Sequence, residues 1–315
     1  MDISTIIVSY NTSNLLVEAI GKLKRASSNF ETEIIFVDNA SADDSVSLIQ
    51  NVFPDSKLLV NGTNVGFGRA NNQALPFAKG RYVLLLNTDA FVAPDSLDKC
   101  IAYMNFNPNC GILGVRLEGR DGSLQPCARY FPTPANVFLQ RTGLKRWLKD
   151  VQMVDEMNWA HDEVRACDWV VGCFYLVRRE VIDQVGLFDP RYFLYFEEVD
   201  HCLAAKKAGW EVIFYPHTTV IHLGGESAKS EGKITKNGKQ LDALGIESEL
   251  LYFRKHFGIL GLFADVILTL LAELINIFKR IAKKGGPIDL STSFRRISLV
   301  LSIVKKTRLG TKPTR

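Results

Sequence analysis

The sequence predicts an α/β fold followed by a helical C-terminal tail, and three patterns support this. Residues 1–99 alternate short apolar, β-rich runs with helical stretches, which is typical of βαβ units that build a parallel sheet. Similar elements resume after residue 168, and the chain beyond residue 238 is helical in character. With 315 residues, of which 47% are hydrophobic, the chain is long enough to bury a substantial core.

Four strands are predicted in the first part of the chain, at residues 4–10, 33–38, 57–60 and 82–87. Segment 14–26 has apolar residues at helical spacing and basic residues on the other side, which predicts an amphipathic helix. A turn rich in capping residues then leads into a helix at 46–52. Ligands bind at the carboxyl ends of strands in open α/β sheets, so Asp38 and Asp89 are placed where a ligand would lie. For Asp38, a simple helix-capping role is equally supported.

The second part of the chain is less regular. Residues 110–166 carry three prolines between positions 126 and 134, so we expect a variable, loop-rich insertion there. Further elements are predicted in the order strand 168–177, helix 180–185, helix 197–208, strand 211–215 and strand 218–221. A segment rich in lysine and glycine near 230–238 marks the predicted boundary between a first domain, 1–230, and a helical, basic region, 231–315.

The charge is distributed unevenly along the chain. Its formal net value is +4, but eleven Lys and Arg residues from Lys279 to Arg315 face one acid, so this tail carries +10 and the rest −6. A mildly acidic body argues against a protein whose whole face binds nucleic acid. The basic tail predicts contact with an anionic surface.

The cysteines and the N-terminus bear on the compartment. The six cysteines form no CxxC pair and no Cys/His cluster with zinc spacing, which favours reduced, buried thiols. A strand follows Met1 almost at once, with no basic segment or cleavage site before it. We therefore expect a cytoplasmic protein that is not secreted.

Several short motifs occur in the order expected for one active site. They are VSYN at 8–11, VDNAS at 37–41, NTDA at 87–90, and FEEVD at 196–200 followed by IHLGG at 221–225. In this combination the sequence resembles the inverting family-2 glycosyltransferases of the GT-A fold, and most closely their bacterial rhamnosyltransferase-like branch. NVGFGRANN at 64–72 and YFLYF at 192–196 are also characteristic of that branch. The resemblance covers about residues 3–227 and implies a Rossmann-like mixed sheet that binds a nucleotide-diphospho-sugar.

A metal site is predicted at the end of the fourth strand. A divalent cation, Mg²⁺ or Mn²⁺, can neutralise a leaving diphosphate, and Asp89 follows a buried apolar run that aims its carboxylate out of the core edge. The DxD element of the family reads Asn87-Thr88-Asp89 here. The resemblance implies that Asp89 contacts the metal while Asn87 and Thr88 contact the nucleotide. It also makes His222 the second protein ligand, with a merely packed histidine as the alternative.

The attacking hydroxyl must lose its proton to a base. Glu197, Glu198 and Asp200 crowd the start of a predicted helix, where the helix dipole favours anions, so simple capping is the alternative for each of them. Within the ED motif of the family the second acid is the base, which implies Glu198, with Glu197 holding the acceptor or the loop. Asp200 is the reserve candidate.

The resemblance also implies the contacts to the donor. The base and ribose are expected to meet the backbone at Val8, Ser9 and Tyr10 together with Asp38 and Asn39. The loop that contains Gly66, Arg69 and Asn72 can approach the diphosphate or the sugar, with Arg69 as a cationic partner, although a plain surface charge is nearly as well supported. Among several aromatic residues near the acceptor side, Tyr195 is favoured for stacking on a sugar ring, and core packing is the alternative.

The tail contains a 22-residue, nearly apolar stretch at 257–278, long enough to span a bilayer. Its polar members fall within about 80° of one another on a helical wheel and form one stripe, namely Asp265, Thr269, Glu273 and Asn276, with Arg280 just beyond. Two acids inside a spanning helix are costly, which favours a helix lying on an anionic membrane surface. A soluble dimer interface is the next alternative, and a spanning helix the third.

Together these observations predict an inverting, metal-dependent glycosyltransferase on the inner face of the cell membrane. The resemblance implies L-rhamnose from dTDP-rhamnose as donor, and the tail favours a lipid-linked saccharide acceptor for cell-surface polysaccharide assembly. The departures at Asn87 and Glu198 keep a second hypothesis open, a non-catalytic relative that binds nucleotide sugar or glycolipid as a membrane scaffold. A nucleotidyltransferase would need a Gly-rich signature after the first strand, which Val8 to Asn11 do not supply. A homo-oligomer is possible.

Overall fold

The computed structural model describes residues 1–147, 151–155, 159–224, 239–282 and 290–315. Its strands are β1 (Ile3–Ser9), β2 (Thr32–Asp38), β3 (Lys57–Val60), β4 (Tyr82–Leu86), β5 (Ala90–Val92), β6 (Cys110–Glu118), β7 (Leu124–Gln125), β8 (Arg165–Ala166), β9 (Phe174–Arg178) and β10 (Glu211–His222). They form one sheet in the order β3-β2-β1-β4-β9-β6-β10-β5, with β7 beside β6 and β8 beside β10. The pairs from β3 to β4 are parallel, whereas β9 is antiparallel to both β4 and β6. The predicted α/β class with a mixed sheet is therefore confirmed.

Helices cover the sheet and form the C-terminal part. They are α1 (Ser13–Ala26), α2 (Ser45–Val52), α3 (Phe67–Ala74), α4 (Ser96–Phe106), α5 (Pro134–Thr142), α6 (Arg179–Val185), α7 (Glu197–Lys207), α8 (Lys239–Ala282) and α9 (Ser291–Lys306). The predicted amphipathic helix corresponds to α1, which buries Leu16, Ile20 and Leu23 in the core that the sheet shares with its helices. All six cysteines are buried and free of disulfides.

The prediction of a loop-rich insertion at 110–166 is wrong for its first nine residues. These form β6, which pairs with β9 on one side and β10 on the other and buries Ile112, Leu113 and Val115 completely. The prolines that suggested loops all lie beyond this strand. Pro134 even begins α5, where Thr133 and Asn136 form a capping box and a proline costs no hydrogen bond.

Two other strands differ from their predicted bounds. The strand predicted at 168–177 starts only at Phe174, because the Asp168 carboxylate accepts hydrogen bonds from the Phe131 backbone N–H at 3.0 Å and the Lys206 ammonium at 2.5 Å and so belongs to a loop. The two short strands predicted at 211–215 and 218–221 are one strand, β10, with a register shift between Tyr215 and Thr219. Its far end places His222 opposite Ala90, next to Asp89.

The apolar stretch predicted at 257–278 lies within α8, which is interrupted at Gly258 where φ is +69°. Its polar stripe faces the rest of the protein, since Asp265, Thr269 and Glu273 are 2%, 4% and 7% exposed. Thr269 accepts a hydrogen bond from Arg141 of α5, and Asn276 and Lys279 donate to main-chain oxygens of the same helix. The tail helix therefore packs along the first part of the chain rather than away from it. The predicted boundary at 230–238, Gly225, Lys283 and Lys284 lie outside the described residues.

Candidate active site

A cavity of about 1540 Å³ lies beyond the carboxyl ends of β1 and β4. Val8 and Tyr10 line it at the end of β1, and Asn87, Thr88 and Asp89 at the end of β4. The N-terminus of α7 forms another wall, and α5, α8 and α9 extend the cavity toward the tail. The ends of β1 and β4, the start of α7 and the tail helices thus face one cavity. It lies at the carboxyl ends of the strands, where ligands bind in open α/β sheets.

Asp89 and His222 lie together at the base of this cavity. A distance of 3.7 Å separates Oδ1 of Asp89 from Nε2 of His222, and the antiparallel pairing of β10 with β5 fixes their approach. Burial lowers the pKa of His222, although the nearby Asp89 charge opposes this. The imidazole is therefore neutral at physiological pH, which is the form that ligates a metal.

Gln125 of β7 orients this histidine. Its Oε1 lies 2.8 Å from Nδ1 of His222, and its Nε2 donates at 2.8 Å to the main-chain oxygen of His222. The carboxamide oxygen can only accept, so Nδ1 carries the proton and the Nε2 lone pair points toward Asp89. The sequence analysis did not identify Gln125, which lies 97 positions from its partner.

The pair fits one side of a divalent cation site. Within the described ranges no three His, Cys, Asp or Glu side chains come together as a complete metal cluster. Mg²⁺ is usually held by one or two protein ligands together with water and substrate phosphates, so a carboxylate and a neutral imidazole facing one cavity suit it. Asp89 and His222 are the residues that would hold such an ion.

Glu197 and Glu198 begin α7 and also line the cavity. The two residues before them, Tyr195 and Phe196, have φ values of +70° and +69°, a strained conformation for residues other than glycine. Each glutamate has one buried carboxylate oxygen with no hydrogen-bond partner among the described residues. Unsatisfied buried carboxylates on a strained turn are typical of a functional site.

The two glutamates have different surroundings. Burial raises the pKa of Glu197 well above its usual range, and the charge of Glu198 raises it further. Burial also raises the pKa of Glu198, but the Arg129 charge and the Gly172 backbone N–H work against that rise. Glu198 therefore ionises more readily than Glu197, and it is also the more exposed of the two.

Asp200, the reserve candidate for the base, does not line the cavity. Its carboxylate accepts hydrogen bonds from Lys255 at 2.7 Å, from His256 at 2.6 Å and from Tyr192 at 3.2 Å. Burial alone would raise the pKa of Asp200, but the bonds from His256 and Lys255 outweigh burial and hold it below its usual value. Asp200 thus ties α7 to α8, and the structure favours Glu198 for proton transfer.

The predicted donor contacts divide into two groups. Val8, Tyr10 and Asn39 line the cavity, and Asn39 also accepts a hydrogen bond from the Val65 N–H at 3.0 Å. Asp38 is 1% exposed and caps its own turn by accepting from the Ser41 N–H, while its other oxygen has no partner in the described part of the chain. Asp38 therefore caps its own turn with one carboxylate oxygen, and the other oxygen is left for a further hydrogen bond.

Three residues predicted to contact the donor do not line the cavity, namely Ser9, Gly66 and Asn72. They pack beneath the residues that do. Ser9 is fully buried. Asn72 bridges α3 to the backbone of Phe188 through two hydrogen bonds of 2.7 and 3.1 Å. At Gly66, where φ is +92°, a Cβ would come within 2.4 Å of the Phe193 oxygen, so the close approach of the two loops requires glycine.

Arg69 and Tyr195 both line the cavity, as does Trp169, one of the aromatic residues expected near the acceptor side. Arg129 also lines it, and the sequence analysis did not single out this residue. Tyr195 is 42% exposed, which leaves its ring accessible for stacking. The Arg129 guanidinium stacks 4.9 Å above the Trp169 ring and pairs with Asp155 at 3.0 Å. Arg129 lies in no recognisable motif, so only the folded chain shows that it belongs to the site.

The mixed α/β sheet, with its cavity beyond the strand ends, places the chain in the class of proteins with the GT-A fold. The family model for glycosyl transferase family 2 matches residues 4–160. The chain belongs to this family, in its rhamnosyltransferase-like branch, and is a glycosyltransferase.

The relatives and solved structures agree with this placement. The chain is 29% identical over 233 residues to N-acetylglucosaminyl-diphospho-decaprenol L-rhamnosyltransferase of Mycobacterium tuberculosis, covering 68% of this chain and 74% of the relative. It is 27% identical over 175 residues to the rhamnosyltransferase WbbL of Escherichia coli, covering 52% and 62%. A mannosyltransferase from Pyrobaculum calidifontis, solved with GDP-Man and Mn²⁺, is similar in fold, with a TM-score of 0.55, 15% identity and coverage of 97% and 86%.

Proposed function

We propose that the protein transfers L-rhamnose from dTDP-rhamnose, with inversion, to a hydroxyl of a lipid-linked saccharide on the cytoplasmic face of the membrane. The observation that carries the chemistry is one cavity lined by both the Asp89–His222 pair and Glu198. The donor and acceptor rest on the relatives, one of which is named for adding L-rhamnose to N-acetylglucosaminyl-diphospho-decaprenol.

Of the six described carboxylate side chains that line the cavity, three are engaged in ion pairs with arginines. Asp155 pairs with Arg129, Glu249 with Arg141, and Asp242 with Arg295. Asp89 faces His222, which leaves Glu197 and Glu198. Glu198, the more readily ionised of these two, accepts the proton of the attacking hydroxyl as the new glycosidic bond forms. Burial and the charge of Glu198 raise the pKa of Glu197 and so favour its protonated form, which can donate a hydrogen bond beside the base.

The pair Asp89 and His222 would hold the divalent ion. When bound, Mg²⁺ or Mn²⁺ supplies positive charge against the diphosphate that leaves the sugar. Val8, Tyr10, Asn39, Asn87 and Thr88 line the part of the cavity that takes the nucleotide. In a direct displacement, a single base and a stabilised leaving group are sufficient for inversion at the anomeric carbon.

The test is a donor panel with a synthetic prenyl-diphosphate-N-acetylglucosamine acceptor. We expect transfer from dTDP-rhamnose, dependent on Mg²⁺ or Mn²⁺, with little transfer from UDP- and GDP-sugars, and a product whose anomeric configuration is opposite to that of the donor. Transfer only from another nucleotide sugar would overturn the donor assignment. Retention of configuration would overturn the roles given to Glu198 and Glu197.

The outer face of the tail supports membrane attachment. On the side of α8 away from its buried polar stripe, Leu260, Ile267 and Phe278 are 80%, 61% and 69% exposed. Further exposed apolar residues of α8 are Phe263, Leu271, Leu274 and Ile281, and α9 adds Phe294 and Leu301. By length and composition α8 is apolar enough to cross a bilayer. The two acids of its apolar stretch, Asp265 and Glu273, are buried against the protein, however, so we infer that the helix lies in the membrane interface.

Exposed cations accompany this apolar face. Lys305 and Lys306 end α9, and Arg308 and Lys312 follow them. Each basic residue near an anionic leaflet adds about 1 kcal/mol of attraction, and each large apolar side chain that becomes buried adds about 1.5–3 kcal/mol. The combination is typical of a peripheral protein of the inner membrane face.

We expect the protein to float with vesicles of phosphatidylglycerol and phosphatidylethanolamine, and the double variant Leu260→Glu, Ile267→Glu to lose most of this binding. Both side chains are exposed, so the fold should be retained, with an unchanged circular dichroism melting curve. Val17→Glu, at a 52% exposed apolar position on α1, is the matched control and should bind like wild type. Two results would instead assign this face to a protein interface. The double variant would still bind vesicles, or the wild type would form a dimer without detergent that the double variant does not form.

A further inference from the structure

The first half of α8 packs against the turn at 192–196, which leads into α7. Tyr195 and Phe196 in this turn have positive φ values, a strained conformation for residues that carry a side chain. Such strain persists only where the surrounding structure holds the backbone in place. The contacts that α8 makes here therefore bear on how the next two residues, Glu197 and Glu198, enter the cavity.

Residues 248, 252 and 256 of α8 contact the turn and the start of α7 from one face of the helix. The Ser248 hydroxyl donates a hydrogen bond of 2.8 Å to the main-chain oxygen of Leu194. The Tyr252 ring is fully buried, and its centre lies 5.2 Å from the centre of the Phe196 ring. Positions four apart lie one above the other on a helix, so a single face of α8 supplies all these contacts.

The same face of α8 also holds the first turn of α7. The Asp200 carboxylate accepts a hydrogen bond of 2.6 Å from His256 and one of 2.7 Å from Lys255. Lys255 also donates at 2.7 Å to Asp189, which precedes the turn. Asp200 and Glu198 are two positions apart and so lie about 200° apart around α7. One carboxylate therefore faces α8 while the other faces the cavity.

We propose that Ser248, Tyr252 and His256 are positioning residues for proton transfer, because they hold the strained turn and α7 where Glu198 can reach the attacking hydroxyl. This inference rests on the proposed function, which assigns the proton to Glu198. Catalysis by a positioned group is sensitive to placement, and a shift of about 1 Å caused by a distant substitution can lower the rate about 100-fold. The C-terminal helix would then contribute to catalysis in addition to the membrane attachment inferred above.

The test is steady-state kinetics of Ser248→Ala and His256→Ala in the full chain. Each variant removes one hydrogen bond to the turn or to α7 and leaves the ends of β1 and β4 unchanged. We expect kcat to fall about 10-fold to 100-fold, while the KM for the donor changes little. His256→Gln can still donate to Asp200 and should recover most of the loss. Unchanged kcat in both alanine variants, or no recovery in His256→Gln, would overturn the proposal.

Tyr252 offers a matched pair of variants that separates its ring from its hydroxyl. The hydroxyl has no hydrogen-bond partner in the part of the chain that the structure describes, so the ring alone contacts Phe196. Tyr252→Leu removes the ring and should lower kcat as the alanine variants do, whereas Tyr252→Phe should restore most of it. Equal losses of kcat in the two variants would contradict a positioning role for the ring.

Leu262→Ala controls for a general loss of stability. Leu262 is fully buried in a separate cluster between α8 and α9, together with Val300 and Ile303, and this cluster includes no residue of the turn. Its truncation lowers the melting temperature through a cavity, yet kcat should stay at the wild-type value at temperatures where the variant is folded. A fall in kcat equal to that of His256→Ala would show that any weakening of the tail has the same effect, and would overturn the proposal.

A second readout needs no substrate. Main-chain hydrogen exchange at residues 194–200, followed by mass spectrometry, should be faster in Ser248→Ala and His256→Ala than in the wild type, and unchanged in Leu262→Ala. Unchanged exchange in both variants would overturn the inference even where sugar transfer is observed. Faster exchange in a protein that transfers no rhamnose would support the contacts of α8 with the turn and place the error in the proposed function.

Discussion

Replacing Asp89 with asparagine is expected to lower sugar transfer about 1000-fold, with the fold intact. A bound divalent cation contributes several kcal/mol to stabilising the leaving diphosphate, and each 1.4 kcal/mol corresponds to a factor of ten in rate. The carboxamide introduced by Asp89→Asn matches the carboxylate in size and shape but carries no charge, so the loss reports on metal binding rather than packing. The measurement is steady-state nucleotide diphosphate release together with calorimetric Mn²⁺ titration in the presence of dTDP.

Gln125→Ala tests the same metal site and is expected to have a smaller effect than Asp89→Asn. Removing the acceptor that holds His222 Nδ1 should weaken metal affinity about 10-fold to 100-fold, because partners of ligating histidines have effects of that size. Excess Mn²⁺ should therefore restore transfer by Gln125→Ala but not by Asp89→Asn. Normal metal dependence in Asp89→Asn would contradict the assignment of Asp89 as a ligand.

The residues predicted from sequence lie in short, contiguous motifs at the ends of strands. Asp89 follows a strand whose apolar run fixes where the chain leaves the core, and Glu198 lies in the first turn of a helix. Strand-end placement is enough to locate Asp89, whereas Glu198 is assigned as the base from the resemblance to the family. Whether they bind metal or move protons is a separate question that the experiments above address.

The contacts that the sequence did not predict join residues that lie far apart along the chain. Gln125 reaches His222 only because β7 and β10 both pair with β6, and Asp200 meets Lys255 and His256 only because α8 packs on α7. Its position beside Glu198 in the sequence makes Asp200 a candidate for the base. Tertiary contacts with the tail, which no local pattern encodes, give it ion pairs instead.

The loop-rich insertion predicted at 110–166 is wrong for its first nine residues for a related reason. The prolines of this segment predict loops, yet the apolar run in Cys110–Glu118 is that of a strand buried on both faces of a sheet. Helix starts also tolerate proline, as Pro134 shows. In Cys110–Glu118, pairing with neighbouring strands decides the secondary structure more than segment length or flanking composition does.

Replacing Glu198 with glutamine is expected to lower kcat about 100-fold to 10,000-fold, the usual contribution of a general base, while the KM for the donor changes little. Glutamine keeps the shape of the side chain but cannot accept the hydroxyl proton. Glu197→Gln should have a smaller effect, since Glu197 is the carboxyl group that stays protonated. Equal losses of kcat in the two variants would contradict this division of roles.

The pH dependence distinguishes the base from a residue that only positions the acceptor. Burial raises the pKa of Glu198, so in the wild type the base is protonated and inactive below that raised value, and kcat/KM should rise with pH through it. This rising limb should lie above the usual range of a glutamate and should vanish in Glu198→Gln. A limb that persists unchanged in the variant would belong to another group.

Stability should change in the opposite direction to activity. A glutamate whose folded pKa lies above its unfolded value favours folding while protonated, and this contribution is lost as pH rises through the folded pKa. The wild type therefore keeps two buried, unsatisfied carboxyl groups at neutral pH at a cost in stability. Glu198→Gln removes one of them, so its melting temperature should exceed that of the wild type at pH 8. Below the unfolded pKa of glutamate the difference should disappear, because the wild-type residue is then also neutral. A variant that is less active yet more stable, only at high pH, would show that the strained turn before α7 holds an ionisable base at the expense of the fold.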